Sequence, residues 1–259
     1  MKTIVINNKI LKVYDSIDEM PIINFQKYNK YLLIDSGIGS NVDDIDAHIA
    51  KIAKFIKADD KTKALVELQN MRQNIYMINS QISPKYLAFA ALIYSVDNRV
   101  STDLSDDGLT RLLQSIREVR HSAILNFLAN LKKKVNTELE TYFPEDFTNA
   151  KEKEVYDLIK KRALLVLDTV ENDTENSEAI TTIDNLLFNR YRPNIFVGAE
   201  SAEVTYDKQF ESACILIAQK TNLQAKNMTV LEFYSALSNI KKQIEAELKN
   251  HKNKGYGRK

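Results

Sequence analysis

The sequence predicts a mainly α fold, a multi-helix bundle with a short β-hairpin at its N-terminus. Three observations carry this. Only 6 glycines and 4 prolines occur in 259 residues, too few for a fold of many tight turns. Apolar residues recur at helical spacing in one segment after another. A single stretch at the start instead reads as two short strands joined by two asparagines.

The elements follow in order. Thr3-Ile4-Val5-Ile6, the pair Asn7-Asn8, and Lys9 to Tyr14 read as a hairpin, because asparagine tolerates the positive φ of a two-residue turn. An isolated hairpin is marginal in water, so this one must lie on the helices or extend a partner's sheet. Ser16 and Glu19 have capping-box spacing. A helix is expected from about Pro21 to Asp35, ending at Gly37, with Ile22, Phe25, Tyr28 and Leu32 on one face. Ser40 should cap a second helix. Asp43, Asp44 and Asp46 fall in its first turns, where carboxylates suit the dipole, and Ile45, Ile49, Ile52 and Ile56 form its apolar stripe. A third helix, about Asp60 to Ile82, should turn Leu65, Leu68, Met71, Ile75 and Ile78 inward and stop before Pro84.

Residues 85–96, KYLAFAALIYSV, are nearly all apolar and predict a central buried helix, followed by a polar loop from Asp97 to Asp107. A short helix near 106–118 and a long one near 121–142 come next. The long one carries Ile124, Leu128, Leu131, Val135, Leu139 and Tyr142, and Pro144 ends it. A helix at about 149–170, with Val155, Ile159, Ala163, Val166 and Val170 inward, should pair with it as an antiparallel hairpin through Phe143 to Thr148. Residues 171–178, ENDTENSE, contain no apolar side chain and read as a linker. The pattern weakens from Arg190 to Val204, and two helices, about 205–221 and 229–250, finish the chain. Thr229 and Glu232 form another capping box, and Val230, Phe233, Leu237, Ile240, Ile244 and Leu248 share a face. The expected organisation is a domain over 1–170, a linker at 171–178, a helical region over 179–250 and a flexible basic tail from 251 to 259.

Composition bounds the function. Hydrophobic residues make up 44% and charged residues 27%, an ordinary globular balance. The 36 basic and 35 acidic residues leave a formal charge of +1, less than a protein living on a polyanion usually carries. The single cysteine, Cys214, excludes an internal disulfide and reads as a small buried hydrophobe. The N-terminus lacks the pattern of a signal peptide, and no stretch approaches the roughly 20 apolar residues of a membrane span. A soluble protein of a reducing compartment is expected.

No string carries a specific chemistry. Asp103-Leu104-Ser105-Asp106-Asp107-Gly108 begins like an EF-hand loop, but Arg111 and Gln114 stand where further ligands are needed, so helix capping explains it better. Gly37-Ile38-Gly39-Ser40 lacks the third glycine and the lysine of a phosphate cradle. His48, His121 and His251 are far apart, and His48 reads as a partly exposed helix residue. Lys132-Lys133-Lys134 and Lys160-Lys161-Arg162 read as solvated faces among glutamates. No catalytic, cofactor-binding or metal-binding residue is expected, and the chain reads as a non-enzyme.

Two regions carry a resemblance. The N-terminal block contains the hairpin and then Met20-Pro21-Ile22-Ile23-Asn24-Phe25-Gln26-Lys27-Tyr28-Asn29. Residues 215–235, ILIAQKTNLQAKNMTVLEFYS, run from a helix through a short loop to Met228-Thr229 and the acidic-aromatic pair Glu232-Phe233. Together with the middle string TELETYFPEDFTNAKEKEVYDLIKKRALLVLD, these resemble proteins of tailed bacteriophages and prophages of the Bacteroidetes type, in particular tail-assembly chaperones. The resemblance implies a protein that binds other phage proteins (tape-measure, tail or connector components) in the host cytoplasm, or in the virion if it is structural, and it implies no catalytic residues. A homo-oligomer fits the same reading. The candidate partner-binding residues are Tyr191, Ile195 and Phe196, in a contact arm from Arg190 to Val204, together with Phe233. Two further readings are a structural virion component and a helical nucleic-acid-binding or regulatory protein using the basic tail and lysine clusters.

Overall fold

Asn7 and Asn8 both take positive φ, 49° and 62°, and fold β1 (Lys2–Ile6) onto β2 (Lys9–Val13) as the sequence predicts. This computed structural model describes residues 1–81, 83–116, 121–147, 150–172 and 174–255, and their side chains except at 121–123, 146–147, 150–153, 156 and 249–255. The hairpin is continued into a sheet by the chain itself. β3 (Ile93–Val96) pairs antiparallel with β2, and β4 (Arg99–Val100) pairs with β3, giving the order β1-β2-β3-β4. The β3–β4 turn repeats the chemistry of the first: Asp97 and Asn98 have φ of 48° and 65°. Asp97 also accepts from the Ile10 N–H through Oδ1 at 2.8 Å and donates its own N–H to the Ile10 carbonyl at 2.8 Å.

The expected central helix over 85–96 is therefore only half a helix. α4 (Pro84–Ala91) is buried along most of its length, but the chain then switches to β3. Ile93 and Val96 are β-branched, and Val13 and Leu11 stand opposite them in the register. Buried Asn24 caps the switch by donating to the Ala91 carbonyl at 2.8 Å.

Helices α1 (Ile22–Gly37), α2 (Val42–Lys57) and α3 (Lys61–Asn79) start and stop close to the expected points. α5 (Asp106–Ile116) and α6 (His121–Tyr142) follow, and α6 buries Ile124, Leu128, Leu131, Val135 and Leu139 as its spacing predicts. Tyr142 is exposed. α7 (Pro144–Phe147), α8 (Ala150–Asn172) and α9 (Ser177–Arg190) come next. α10 (Ala202–Thr221) leads through a 3-10 turn at Ala225–Asn227 to α11 (Val230–Gly255). Thr229 and Glu232 form the expected capping box, each side chain accepting from the other's N–H. α11 buries Val230, Phe233 and Ile240, whereas Ile244 and Leu248 are exposed. Its backbone helix continues over 251–255, where a flexible tail was expected, and residues 256–259 lie outside the described residues.

The chain divides into two compact units, and the boundaries differ from the expected linker. The first unit holds Met1–Tyr142 and Asn194–Lys259, and the second holds Phe143–Pro193. Residues 171–178 thus fall inside the second unit; the described ones among them belong to the end of α8, the start of α9 and residues 174–176 between them. Ion pairs Arg190–Glu154 and Arg162–Asp184 set these two helices antiparallel. Within this unit α8 pairs with α9, a helix the sequence reading had not set against it.

Within the first unit, the link between β2 and α1 gathers the core. Tyr14 donates its N–H to the Leu92 carbonyl, tying the link to the end of α4. The expected Ser16–Glu19 capping box is absent. The Ser16 hydroxyl and the Ile17 N–H instead donate to the Glu138 carboxylate on α6, at 3.1 and 3.0 Å. Glu19 accepts from the Asp15 N–H and pairs with the N-terminal ammonium. Leu231 and Val230 donate their N–H groups to the carbonyls of Ile17 and Met20, and Ile22 donates to the Met228 carbonyl. Ile17 and Met20 are fully enclosed. Replacing Glu138 by alanine strands the Ile17 N–H, and we expect a loss of about 1–3 kcal/mol, read as a lower urea midpoint at unchanged slope.

Candidate functional site

The most organised polar cluster lies inside the α2–α3 hairpin. It begins at the Gly37-Ile38-Gly39-Ser40 string. Gly39 has φ of 72°, and a Cβ there would sit 2.2 Å from the Asp44 carboxylate. Gly37 closes α1, and a Cβ on it would overlap the Phe196 ring. Asn41, one residue beyond the expected Ser40, is the N-cap of α2. It forms a capping box with Asp44, whose carboxylate accepts from the N–H groups of Ser40 at 2.8 Å and Asn41 at 3.1 Å. The donors that a phosphate would need are occupied by the chain's own carboxylate.

His48 is buried, not partly exposed as its sequence setting suggested. Its Nδ1 lies 2.9 Å from Glu67 Oε1 and its Nε2 lies 2.9 Å from the Ile38 carbonyl. Both partners are acceptors when Glu67 is ionised, so both ring nitrogens must carry protons and the ring is an imidazolium. Lys51 reaches the same Glu67 oxygen at 3.2 Å. Asn74 donates to the Ile38 carbonyl at 2.9 Å, and Asn70 donates to the Asn194 carbonyl at 2.9 Å. Burial opposes the charge on His48, but the bonds to Glu67 and Ile38 outweigh it and raise its pKa above the ordinary imidazole value. Burial likewise opposes the charge on Glu67, and His48 with Lys51 outweighs it and holds the carboxyl below its usual range. With both nitrogens donating, His48 offers no lone pair to a proton or a metal. The cluster is a clasp, joining α2, α3, the end of α1 and the segment at Asn194.

This polar interior reverses the expected orientation of both helices. α3 buries Ala64, Glu67, Asn70 and Asn74, while Leu65, Leu68 and Ile75 are exposed. α2 buries His48 and Phe55, and Ile49 and Ile56 of the expected inward stripe are 52% and 62% exposed. The reason is geometric: the rows that face each other are those that reach the Ile38 and Asn194 carbonyls.

The remaining strings resolve into caps and pairs. Ser105 Oγ accepts from the Gly108 N–H, and Asp103 accepts from Ser105 and pairs with Arg111, as the capping explanation requires. Asp106 accepts from the Tyr31 hydroxyl at 2.6 Å and pairs with Lys27. Lys9, Arg99, Asp103 and Arg111 flank an open cleft of about 730 Å³ that contains neither histidine nor cysteine. Cys214 is buried, and burial pushes its thiol pKa up, away from reactivity. Lys134 pairs with Asp15, and Arg162 with Asp184. The side chains of His121 and His251 and the basic tail residues lie outside the described side chains. Among the described residues, no three His, Cys, Asp or Glu side chains gather into a metal-binding group, and no helix is long and apolar enough to cross a membrane.

The four candidate contact residues separate. Phe196 is buried and packs against Gly37, and Phe233 is buried between Phe210 and Tyr234. Both are core side chains of the first unit. Tyr191 is half-buried just past the end of α9, and Ile195 keeps 40% of its surface. The sequence reading missed the larger apolar surfaces. On α8, Ile159, Leu164, Leu167 and Val170 are exposed, Val170 at 78%. Ile159, Val166 and Val170 were expected inward. α8 instead turns half-buried Leu158, Arg162 and Leu165 away from solvent, and Arg162 reaches α9 through Asp184. Compared with protein-family models, with curated proteins and with solved structures, the chain matches none.

The clasp makes a pH prediction. His48, with its raised pKa, contributes fully below the ordinary imidazole value of about 6.5, and its contribution disappears as pH rises through the raised value. Glu67, with its lowered pKa, contributes above the ordinary carboxylate value, and its contribution disappears as pH falls through the lowered one. Thermal melts should show a decline in stability as pH rises above about 6.5 that His48→Gln lacks. At about pH 6 that variant should be less stable by roughly 3 kcal/mol, because Glu67 is left buried with Lys51 alone.

Proposed function

We propose that this chain is a non-enzymatic phage protein that works by protein–protein binding in tail assembly, as a chaperone of tape-measure or tail components. The observation that carries the reading is the apolar surface of the second unit. Its α8–α9 hairpin buries Ile183, yet exposes Ile159, Leu164, Leu167, Val170 and Leu186. A two-helix hairpin gains little from its own packing, and so much exposed aliphatic surface is the mark of a face that a partner covers. The partner chemistry that fits is another apolar helical segment, laid along α8 at spacings of three and four residues. Two further observations support binding over catalysis. His48 has both nitrogens engaged, and the described residues hold no cluster of three metal-ligating side chains.

The test is co-expression with the products of the genes adjacent to its own. A complex with a tape-measure or tail component should form, and Leu167→Glu with Val170→Glu should weaken it at least about tenfold while the circular dichroism of the free protein is unchanged. Mass spectrometry of purified particles separates a transient chaperone, absent from them, from a virion component, present in them. No complex with any adjacent gene product would overturn the reading.

A further inference from the structure

We propose that the α2–α3 hairpin of the first unit is a homodimer face, closed by a second copy of this chain with the two α2 helices antiparallel. The proposal does not rest on the function assigned to the second unit. It starts from the inverted hairpin. With His48, Glu67, Asn70 and Asn74 turned inward, the strong apolar rows point to solvent. On α2 the row is Val42, Ile49 and Ile56, all more than half exposed, spaced by seven residues, with half-buried Ile45 and Ile52 between them. This is the a/d seam of a helix that packs against another helix. On α3 the row is Leu65, Leu68 and Ile75, each more than two-fifths exposed. The two helices run antiparallel, since His48 meets Glu67 and Phe55 meets Lys63, and this sets both rows on the same side of the hairpin. Together the six leave an apolar patch on the order of a few hundred Å², the size at which an exposed patch marks an interaction site. Half-buried Ile45 and Ile52 and the small, exposed Ala50 and Ala53 extend it along α2.

Charge identifies the occupant. Asp43 and Asp46 lie at the start of α2, and Lys54 and Lys57 lie near its end. A helix acidic at one end and basic at the other is complementary to itself only when reversed. A two-fold axis near Ile49 places Val42 opposite Ile56 of the second copy and brings the Asp43–Asp46 end against the Lys54–Lys57 end, twice. A parallel arrangement sets like charges together. The small side chains of Ala50 and Ala53 beside the seam allow the two α2 helices to approach closely.

The test uses the whole 259-residue chain in light-scattering and sedimentation experiments. The chain should run at twice its monomer mass at about 10 µM, and Ile49→Glu, at a position already half exposed, should run as a folded monomer. A charge-swap pair removes any dependence on how that one variant folds. Asp43→Lys with Asp46→Lys reverses the charge at the start of α2, and Lys54→Glu with Lys57→Glu reverses it near the end, so each variant meets like charge when it pairs with itself. Each should self-associate at least about tenfold more weakly than the parent, and an equimolar mixture should restore the dimer. A monomeric parent, an Ile49→Glu variant that remains dimeric, or a mixture that stays monomeric would overturn the proposal. So would a monomeric parent that uses this face for a different protein.

Discussion

The first unit depends on how the backbone of residues 14–22 is satisfied. This link has little repeating structure of its own, yet Ile17 and Met20 lie at the centre of the core, where unpaired N–H and C=O groups are costly. The partners come from three distant places. Leu92 supplies a carbonyl at the end of α4, Glu138 supplies a carboxylate from near the C-terminal end of α6, and residues 228–231 supply a carbonyl and two N–H groups at the start of α11. The sheet, α6 and α11 are therefore held in one core by a segment too short to pack as an element. The chain returns to it from more than 200 residues away, which is why residues beyond the second unit, 194–255, belong to the same compact body as the N-terminus.

Local signals explain what was legible in the sequence. The Asn7-Asn8 turn, the Thr229–Glu232 capping box and the buried row of α6 each depend on residues within a few positions of one another, and each is where its spacing predicts. The switch from α4 to β3 was not legible from period, because KYLAFAALIYSV places its charged and hydroxyl residues, Lys85 and Ser95, only near its two ends, and nothing polar between Leu87 and Ile93 sets a period. Its signal lay just beyond, in Asp97-Asn98, whose turn chemistry matches Asn7-Asn8 and marks a second hairpin. The Ser16–Glu19 pair shows the converse: its spacing is right, but Glu138, 122 residues later, offers the Ser16 hydroxyl a better acceptor.

The candidate sites failed to announce themselves for a related reason. Hydrophobic periodicity locates the strongest apolar row of a helix, and the usual inference is that this row faces inward. On α2 and α3 the inward row is set by specific acceptors instead. The Ile38 carbonyl takes His48 and Asn74, and the Asn194 carbonyl takes Asn70. No pattern within either helix shows where those carbonyls are. Phe196 and Phe233 were misread in the opposite sense. Phe196 stands in a segment of weak pattern and packs on Gly37, whereas Phe233 stands on the apolar row of α11 and is buried against Phe210 and Tyr234.

The inverted hairpin joins the clasp and the exposed face into one constraint. A buried His–Glu–Lys group contributes little net stability against an apolar core of the same volume, because desolvation offsets most of the Coulomb gain. What it contributes is geometry, since a displaced His48 would leave a buried carboxylate short of a partner. It therefore fixes the rotation of α2 and α3 about their own axes, and with it the direction in which Val42, Ile49 and Ile56 point. Had the hairpin been held by its isoleucines, those side chains would have been consumed inside the unit. Because polar bonds hold it, the apolar rows remain outside as a preformed, rigid surface. Such a surface loses little conformational freedom when it is covered, so most of its hydrophobic gain goes to association and not to folding.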